Sequence, residues 1–350
     1  MRIVNLKEKV SVATKKWEWD MILDKIPNHD FYHTFDYHAI SVQQSEKPVL
    51  ITYQKGNEII AMPLVIRNIG NTGHNDITSA YGYCGPIHNG LKEGFCNQTF
   101  ITYVHDYLKE MKVISAFSRL NPFIEKQNLV LDGLGNVKDL SKVVSIDLCD
   151  DIHIQSRHYN PRLKTYINKC RKHYTVREAK TENEIKKFVS IYYENMLRVN
   201  AKDRYFFPGN YFLNLWKSND FKARFLLAFD MENKELAGGA VFVEANHIVQ
   251  YHLSGARKEY LKLNPIKLLI DEMRIEATKK GFSHFNLGGG VGNNADSLLR
   301  FKTGFSKNLK TFQVWEYIVN PTIYNQLVKE KWGNSKNGET PSKHFFPQYR

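Results

Sequence analysis

Apolar positions in the second half of the chain recur with helical and strand periods in a readable order. Asn160-Pro161 can supply a helix cap and first position, and Leu163, Tyr166, Ile167, Cys170 and Tyr174 then fall on one stripe. Thr181-Glu182-Asn183-Glu184 has the form of a capping box, and Ile185, Phe188, Val189, Tyr192 and Met196 extend it into a second amphipathic helix. A shorter helix is predicted over 211–216, past the Phe206-Phe207-Pro208-Gly209 break. Three apolar runs at 225–229, 236–244 and 248–254, separated by turn-forming residues, read as an antiparallel meander. Asn264-Pro265 opens another helix with Ile266, Leu269, Ile270, Met273 and Ala277 on its apolar face, and Gly281 stands where a C-terminal cap belongs. A strand over 282–287, a Gly288-Gly289-Gly290 turn, a helix over 296–305 and a strand over 311–319 complete the half.

The first half repeats this order more loosely. Helices near 14–25 and 36–42 precede a hairpin, 49–53 and 58–67, joined through Lys55-Gly56-Asn57. An apolar segment with Tyr81-Gly82-Tyr83-Cys84-Gly85-Pro86 follows, then a helix over 97–111 and a strand over 113–119. Two helices, a meander, a helix and a strand thus occur twice. This predicts a duplicated α/β fold: a degenerate domain at 1–150, a second at 151–325 and a basic tail at 326–350. Each domain is expected to hold a mixed, largely antiparallel sheet flanked by helices.

Composition narrows the function classes. The 350 residues are 42% hydrophobic, enough for sizeable cores and too many for wholesale disorder. No run of apolar residues reaches membrane-span length, and Met1–Lys7 lacks the pattern of a secretory signal. The expected location is therefore cytoplasmic. The four cysteines (Cys84, Cys96, Cys149, Cys170) form no close pair of the kind that frames a disulfide scaffold or a zinc knuckle. His29, His33 and His38 have no further ligands nearby, so no metal is expected. The net charge of +13 favours polyanionic partners. Much of it lies in 151–180, where eight basic residues face two acidic ones. Such a run is by default a solvated face; its functional reading is a seat for transfer RNA or a nucleotide-linked carrier.

Gly288, Gly289 and Gly290 leave a strand in a turn that permits positive φ and close approach of a ligand to the backbone. Beyond it, Lys302 lies between Phe301 and Phe305, whose spacing would anchor the helix and fix the side on which the lysine emerges. A phosphate-binding Gly-rich loop ending in Gly-Lys-Ser/Thr is absent, as are a nucleophile elbow and a Cys–His pairing. A covalent acyl-enzyme is therefore not expected. Tyr81, Tyr83, Tyr205, Tyr211 and Tyr251 cluster around the expected cleft, where they could stack on a base or present a hydroxyl.

The element order resembles the acetyltransferase (GNAT) fold in tandem. The residues resemble the FemABX family of aminoacyltransferases, which add amino acids to the peptide of peptidoglycan precursors. The likeness is carried by Lys164, Asn168 and Arg171 on the basic helix, by 196–211, by Tyr251, and by Leu287-Gly288-Gly289-Gly290 leading to Phe301-Lys302-x-x-Phe305. In the first half it is carried by Tyr81–Pro86; the family's acidic residue three positions beyond Gly-Pro is here Asn89. No coiled-coil insertion is visible, as in the compact members.

The resemblance implies amide formation between an aminoacyl group on transfer RNA and an amine of a cell-envelope precursor, without a further cofactor. Lys302 and Tyr251 would be catalytic. Arg204, Tyr205, Tyr211, Tyr81, Tyr83 and the three glycines would contact substrate, and Lys164 with Arg171 would bind polyanion. Expected partners are transfer RNA, a nucleotide- or lipid-linked sugar precursor and the inner face of the membrane. An acyl-CoA donor serving an amino sugar of a surface polysaccharide is the alternative within enzymes. Against it, the stretch from Ala256 to Asn264 has none of the glycines of a pyrophosphate loop. A non-catalytic tandem domain that binds nucleic acid or a partner protein is the alternative of another class.

Overall fold

The computed structural model describes residues 8–293, 296–333 and 345–350. The reading of Met1–Lys7 and positions 334–344 of the expected tail lie outside them. The chain divides into two units, Met1–Leu140 with Phe312–Arg350, and Ser141–Thr311.

In the first unit, β1 (Lys9–Ala13), α1 (Lys16–Leu23) and α2 (Phe35–Ser41) precede a meander of β2 (Lys47–Lys55), β3 (Glu58–Asn68) and β4 (Asn75–Thr78). There follow β5 (Ile87–Asn89), α3 (Gln98–Glu110), β6 (Val113–Arg119) and α4 (Gln127–Leu131). The β2–β3 hairpin closes from Lys55 to Glu58, as the Gly56-Asn57 turn predicts. β4 and β6 pair in parallel, while β2 pairs antiparallel with β1 and β3, and β3 with β4 and β5. The α3 face bearing Phe100, Val104 and Leu108 covers the sheet, where Ile51, Ile60, Met62 and Leu64 are fully buried.

In the second unit, the end of β7 (Asn136–Asp147) leads to α5 (Ile152–Arg157), α6 (Pro161–His173), β8 (Tyr174–Glu178), α7 (Glu182–Arg198) and α8 (Gly209–Lys217). A meander of β9 (Lys222–Asp230), β10 (Leu236–Ala245) and β11 (Ile248–Ala256) follows, then α9 (Ile266–Lys279), β12 (His284–Gly288) and α10 (Ser297–Lys302). The sheet order is β7-β12-β11-β10-β9-β8, antiparallel except for β11 with β12. The apolar stripes of α6, α7 and α9 supply Leu163, Ile167, Cys170, Ile185, Phe188, Leu269 and Met273 to the interior. The fold is α/β, and each unit shows the expected sequence of helices, meander, helix and strand with one parallel pair.

Two elements redraw the expected boundaries. β13 (Asn308–Ile318) leaves the second unit and pairs with β6 from Val314–Arg119 to Ile318–Ser115, burying Trp315 in the first unit's core. α11 (Pro321–Trp332) also packs in the first unit, where Tyr324 and Tyr349 join Ile69 and Ile114 in one cluster. Residues 326–332 are thus helix, and Arg350 pairs with the fully buried Asp76. The units divide at 140/141 and 311/312, rather than at 150/151 and 325/326, because strand pairing assigns the last strand and an apolar pattern alone does not.

Candidate functional site

The parallel ladder between β11 and β12 runs only from Ile248–His284 to Gln250–Asn286. Beyond it the strands take different partners. β11 continues beside β10 to Ala256, and Gly288 pairs with Val144 of β7. The vertex is fastened by side chains, with Asn286 Nδ2 donating to Gln250 Oε1 at 2.8 Å, both residues being buried. Asn286 Oδ1 also accepts from the Gly288 amide at 2.9 Å, which starts the glycine turn. Gly288 has φ +75° and so needs to be glycine. Gly289 does not take positive φ, contrary to expectation; a Cβ there would lie 3.0 Å from the Lys142 carbonyl, so glycine serves close packing against β7.

Lys302 reaches into this opening. Its Nζ donates to the Gly289 carbonyl at 2.7 Å and lies 5.8 Å from the centroid of the Tyr251 ring. The residue is only 7% exposed, and burial pulls its amine from 10.5 down to about 7, with Asp296 partly opposing. Asp296 caps α10 through the Leu299 amide and accepts from the Val291 amide, tying the turn to the helix that carries the lysine. α10 ends at Lys302, within its second turn, instead of running to Phe305. The Phe301–Phe305 contact forms as the spacing predicts, with ring centroids 5.6 Å apart.

Tyr251 shares a hydrogen bond with Ser254 Oγ, and burial pushes its phenol up to about 12. A bulge at His252 lies between the Tyr251–Phe242 and Leu253–Val241 pairs and brings Tyr251 and Ser254 onto one face. Ser254 escaped sequence reading, because only the bulge makes residues three apart neighbours on a strand.

Other expected residues fall elsewhere. Tyr211 is 3% exposed, stacks on Phe207 and pairs through its hydroxyl with His252 Nε2 at 2.7 Å. It is a core residue in this structure, correcting its assignment to substrate. Arg204 is exposed and lies over the half-buried Tyr205 ring at 5.2 Å, while the Tyr205 carbonyl accepts from Tyr192. Lys164 is exposed on α6, but Arg171 is held by Asp271 at 2.6 Å and by Glu272. Arg171 is therefore engaged in the unit's own ion pairs rather than offered to a polyanion.

In the first unit, Tyr81 is exposed and its carbonyl accepts from Tyr37, while Tyr83 packs edge-on against Tyr32 and Phe312. Beneath them lies a buried polar group that sequence reading missed. Asn121 Nδ2 donates to Asp30 Oδ2 at 3.0 Å and to the Tyr83 carbonyl at 3.1 Å. Asn89 donates to the Lys25 carbonyl. Burial lowers His33 to about 3 and His38 to about 4. Among the described residues no three His, Cys, Asp or Glu side chains are grouped to hold a metal, and no helix is long and apolar enough to cross a membrane.

The connection from β11 to α9, where a GNAT enzyme would present its pyrophosphate loop, is a tight 3-10 turn over Lys258–Leu263. Its leading amides have partners within the unit: Arg257 donates to the Ala237 carbonyl at 3.0 Å and Lys258 to Glu194 Oε1 at 3.0 Å. A carboxylate thus takes an amide that a phosphate would need.

Among curated proteins none matches this chain. The FemAB family model matches residues 230–326, a span that includes β11, the glycine turn and Lys302. A crystal structure of FemX superposes with a TM-score of 0.72 at 12% identity, covering 91% of this chain and 99% of that one. A conserved protein of unknown function from Bacteroides thetaiotaomicron gives 0.59 at 10% identity, covering 89% and 100%. A tandem GNAT protein from the clavulanic acid biosynthesis pathway gives 0.50 at 8% identity, covering 89% and 99%. Residues 230–326 thus match the FemAB family model, and the chain shares its fold with FemX over nearly its whole length.

Proposed function

We propose that the protein is an amide-forming acyltransferase that moves an aminoacyl group from transfer RNA to an amine on a nucleotide- or lipid-linked cell-envelope precursor in the cytoplasm. The observation that carries this reading is the Lys302 amine, held between Gly289 and Tyr251 at the mouth of the β11–β12 opening, within the FemAB-matched segment.

An aminoacyl ester is already activated, so attack by a neutral amine needs alignment and stabilisation of the developing oxyanion more than strong acid–base help. Lys302 can supply that stabilisation when protonated. An anion arriving in the opening favours the protonated form, so donor binding and charging of the lysine reinforce each other. Tyr251, fixed by Ser254, would orient the acceptor amine. Tyr205 with Arg204, and separately Tyr81 and Tyr83, are proposed substrate contacts. The occupied amides of Arg257 and Lys258 favour transfer RNA over an acyl-CoA donor.

The test is label transfer from a set of charged transfer RNAs, and in parallel from acyl-CoA thioesters, to amine-bearing envelope precursors. Transfer from the RNA donors that is lost on Lys302→Met is the expected result. Transfer from the thioesters alone would overturn the donor, and no transfer from either would leave a binding module.

A further inference from the structure

The C-terminal tip of α7 exposes two aliphatic side chains within three residues. Leu197 is 72% exposed and Val199 is 55% exposed, although both are aliphatic. Around them Arg198, Lys202 and Arg204 are also exposed, against one exposed acid in the same stretch, Asp203. Nor is the tip a loose end. Ala201 donates to the Met196 carbonyl, Tyr192 to the Tyr205 carbonyl at 2.6 Å and Tyr193 to the Phe207 carbonyl at 2.6 Å. The fold therefore holds two aliphatic side chains out in solvent on a pinned turn, with three exposed cations in the same short stretch of chain.

We propose that this tip, Leu197 to Arg204, is a docking surface for an anionic lipid membrane. Aliphatic side chains enter the boundary between headgroups and acyl chains, while arginines and lysines beside them stay at headgroup level and pair with phosphates. Transfer RNA would satisfy the cations but gives aliphatic side chains nothing to bury in, since RNA is gripped by stacking on planar groups. The exposed pair Trp17 and Met21 on α1 lacks this complementarity: three lysines nearby (Lys15, Lys16, Lys25) are balanced by Glu18, Asp20 and Asp24. The proposal does not depend on which donor or acceptor the enzyme uses.

The test is sedimentation of the full chain with vesicles of phosphatidylcholine alone and of phosphatidylcholine mixed with phosphatidylglycerol. Wild type should bind the mixed vesicles and not the neutral ones. Arg198→Glu with Lys202→Glu should weaken binding by roughly fivefold or more per charge reversed. Leu197→Ser with Val199→Ser should weaken it severalfold with an unchanged melting temperature, whereas Trp17→Ser with Met21→Ser should leave it intact. Absence of binding to the mixed vesicles would overturn the proposal. So would equal binding by the Leu197/Val199 variant, or loss of binding only in the Trp17/Met21 variant. If the charge variant lost transfer RNA while the aliphatic variant kept its vesicle binding, the tip would instead be an RNA surface.

Discussion

Replacing Lys302 with methionine separates the proposed catalytic role of its amine from the effect on stability. Methionine keeps most of the stem and removes the amine. What the amine costs the fold follows from its surroundings. It is 7% exposed, and the drop from 10.5 to about 7 corresponds to a penalty of about 5 kcal/mol on the charged form. Below about pH 7 the folded and unfolded chains both hold the proton and the full penalty acts. Between about 7 and 10.5 the unfolded chain holds more protons, so wild-type stability rises with pH across that window. The variant escapes the penalty but loses the bond to Gly289, about 1 kcal/mol, and strands that carbonyl at about 2 kcal/mol.

The variant should therefore be more stable than wild type by about 1 to 2 kcal/mol at neutral pH, and that advantage should shift by about 3 to 4 kcal/mol toward wild type by about pH 10. Turnover should fall on the order of a hundredfold, the worth of one preorganised charge at an oxyanion. Wild-type kcat/KM should decline as Lys302 in the free enzyme loses its proton through about 7. Urea denaturation across pH and single-turnover kinetics on the same preparations read all three. A stability difference that ignores pH would refute the depressed pKa. A rate within about threefold of wild type would remove Lys302 from the chemistry.

Gly288→Val places a branched residue at φ +75°, so it should cost about 2 kcal/mol and lower kcat further by moving the carbonyl that holds Lys302, both readable by melting and kinetics. Arg224→Met strips the buried Glu244 of one cation and leaves Lys280; unfolding free energy should fall by about 3 kcal/mol in urea. His33 and His38 are buried with pKa values of about 3 and 4, below their unfolded 6.5. Stability should therefore fall as pH drops below 6.5, by about 1.4 kcal/mol per pH unit for each histidine, and His38→Gln should flatten that slope. Lys164→Glu with Lys169→Glu should lower the salt slope of transfer RNA binding by roughly 0.7 to 0.9 for each phosphate that α6 no longer neutralises; an unchanged slope makes α6 a solvated face.

Much of this fold was legible because its helices bury single stripes. The spacing of Ile185, Phe188, Val189 and Tyr192 on α7, and of Ile266, Leu269, Ile270 and Met273 on α9, translates directly into burial. Strands were most legible where both faces are covered, as in β9 and β10. β7 opens with exposed polar positions, and β8 follows α6 without any break in pattern. Tyr211 could have been recognised as core, since Phe212 and Leu215 share its helix face region and all three are buried. Arg171 could not, because its carboxylate partners lie about a hundred residues away. The Lys302 neighbourhood was legible only as a glycine turn and a lysine. Its burial arises from the separation of β11 and β12, which no local pattern records.

That separation has a counterpart in the first unit, and the two are resolved differently. A parallel pair whose strands part leaves backbone groups unpaired on the inner edges, and buried groups of that kind must find partners. In the second unit a lysine side chain meets the need, capping the Gly289 carbonyl and leaving a functional group in the opening. In the first unit β4 and β6 share only two register pairs, Asn75–Val113 and Ile77–Ala116. There the chain itself fills the edge: Gly85 donates to the Arg119 carbonyl at 2.9 Å, the Arg119 amide donates to Ser79 Oγ, and Asn121 takes the Tyr83 carbonyl. Gly85 must be glycine for this, because a Cβ would lie 2.0 Å from Gln127 Oε1. One copy of the duplicated fold thus fills its opening with its own loop and the Ser79 and Asn121 side chains, and the other places a titratable amine there.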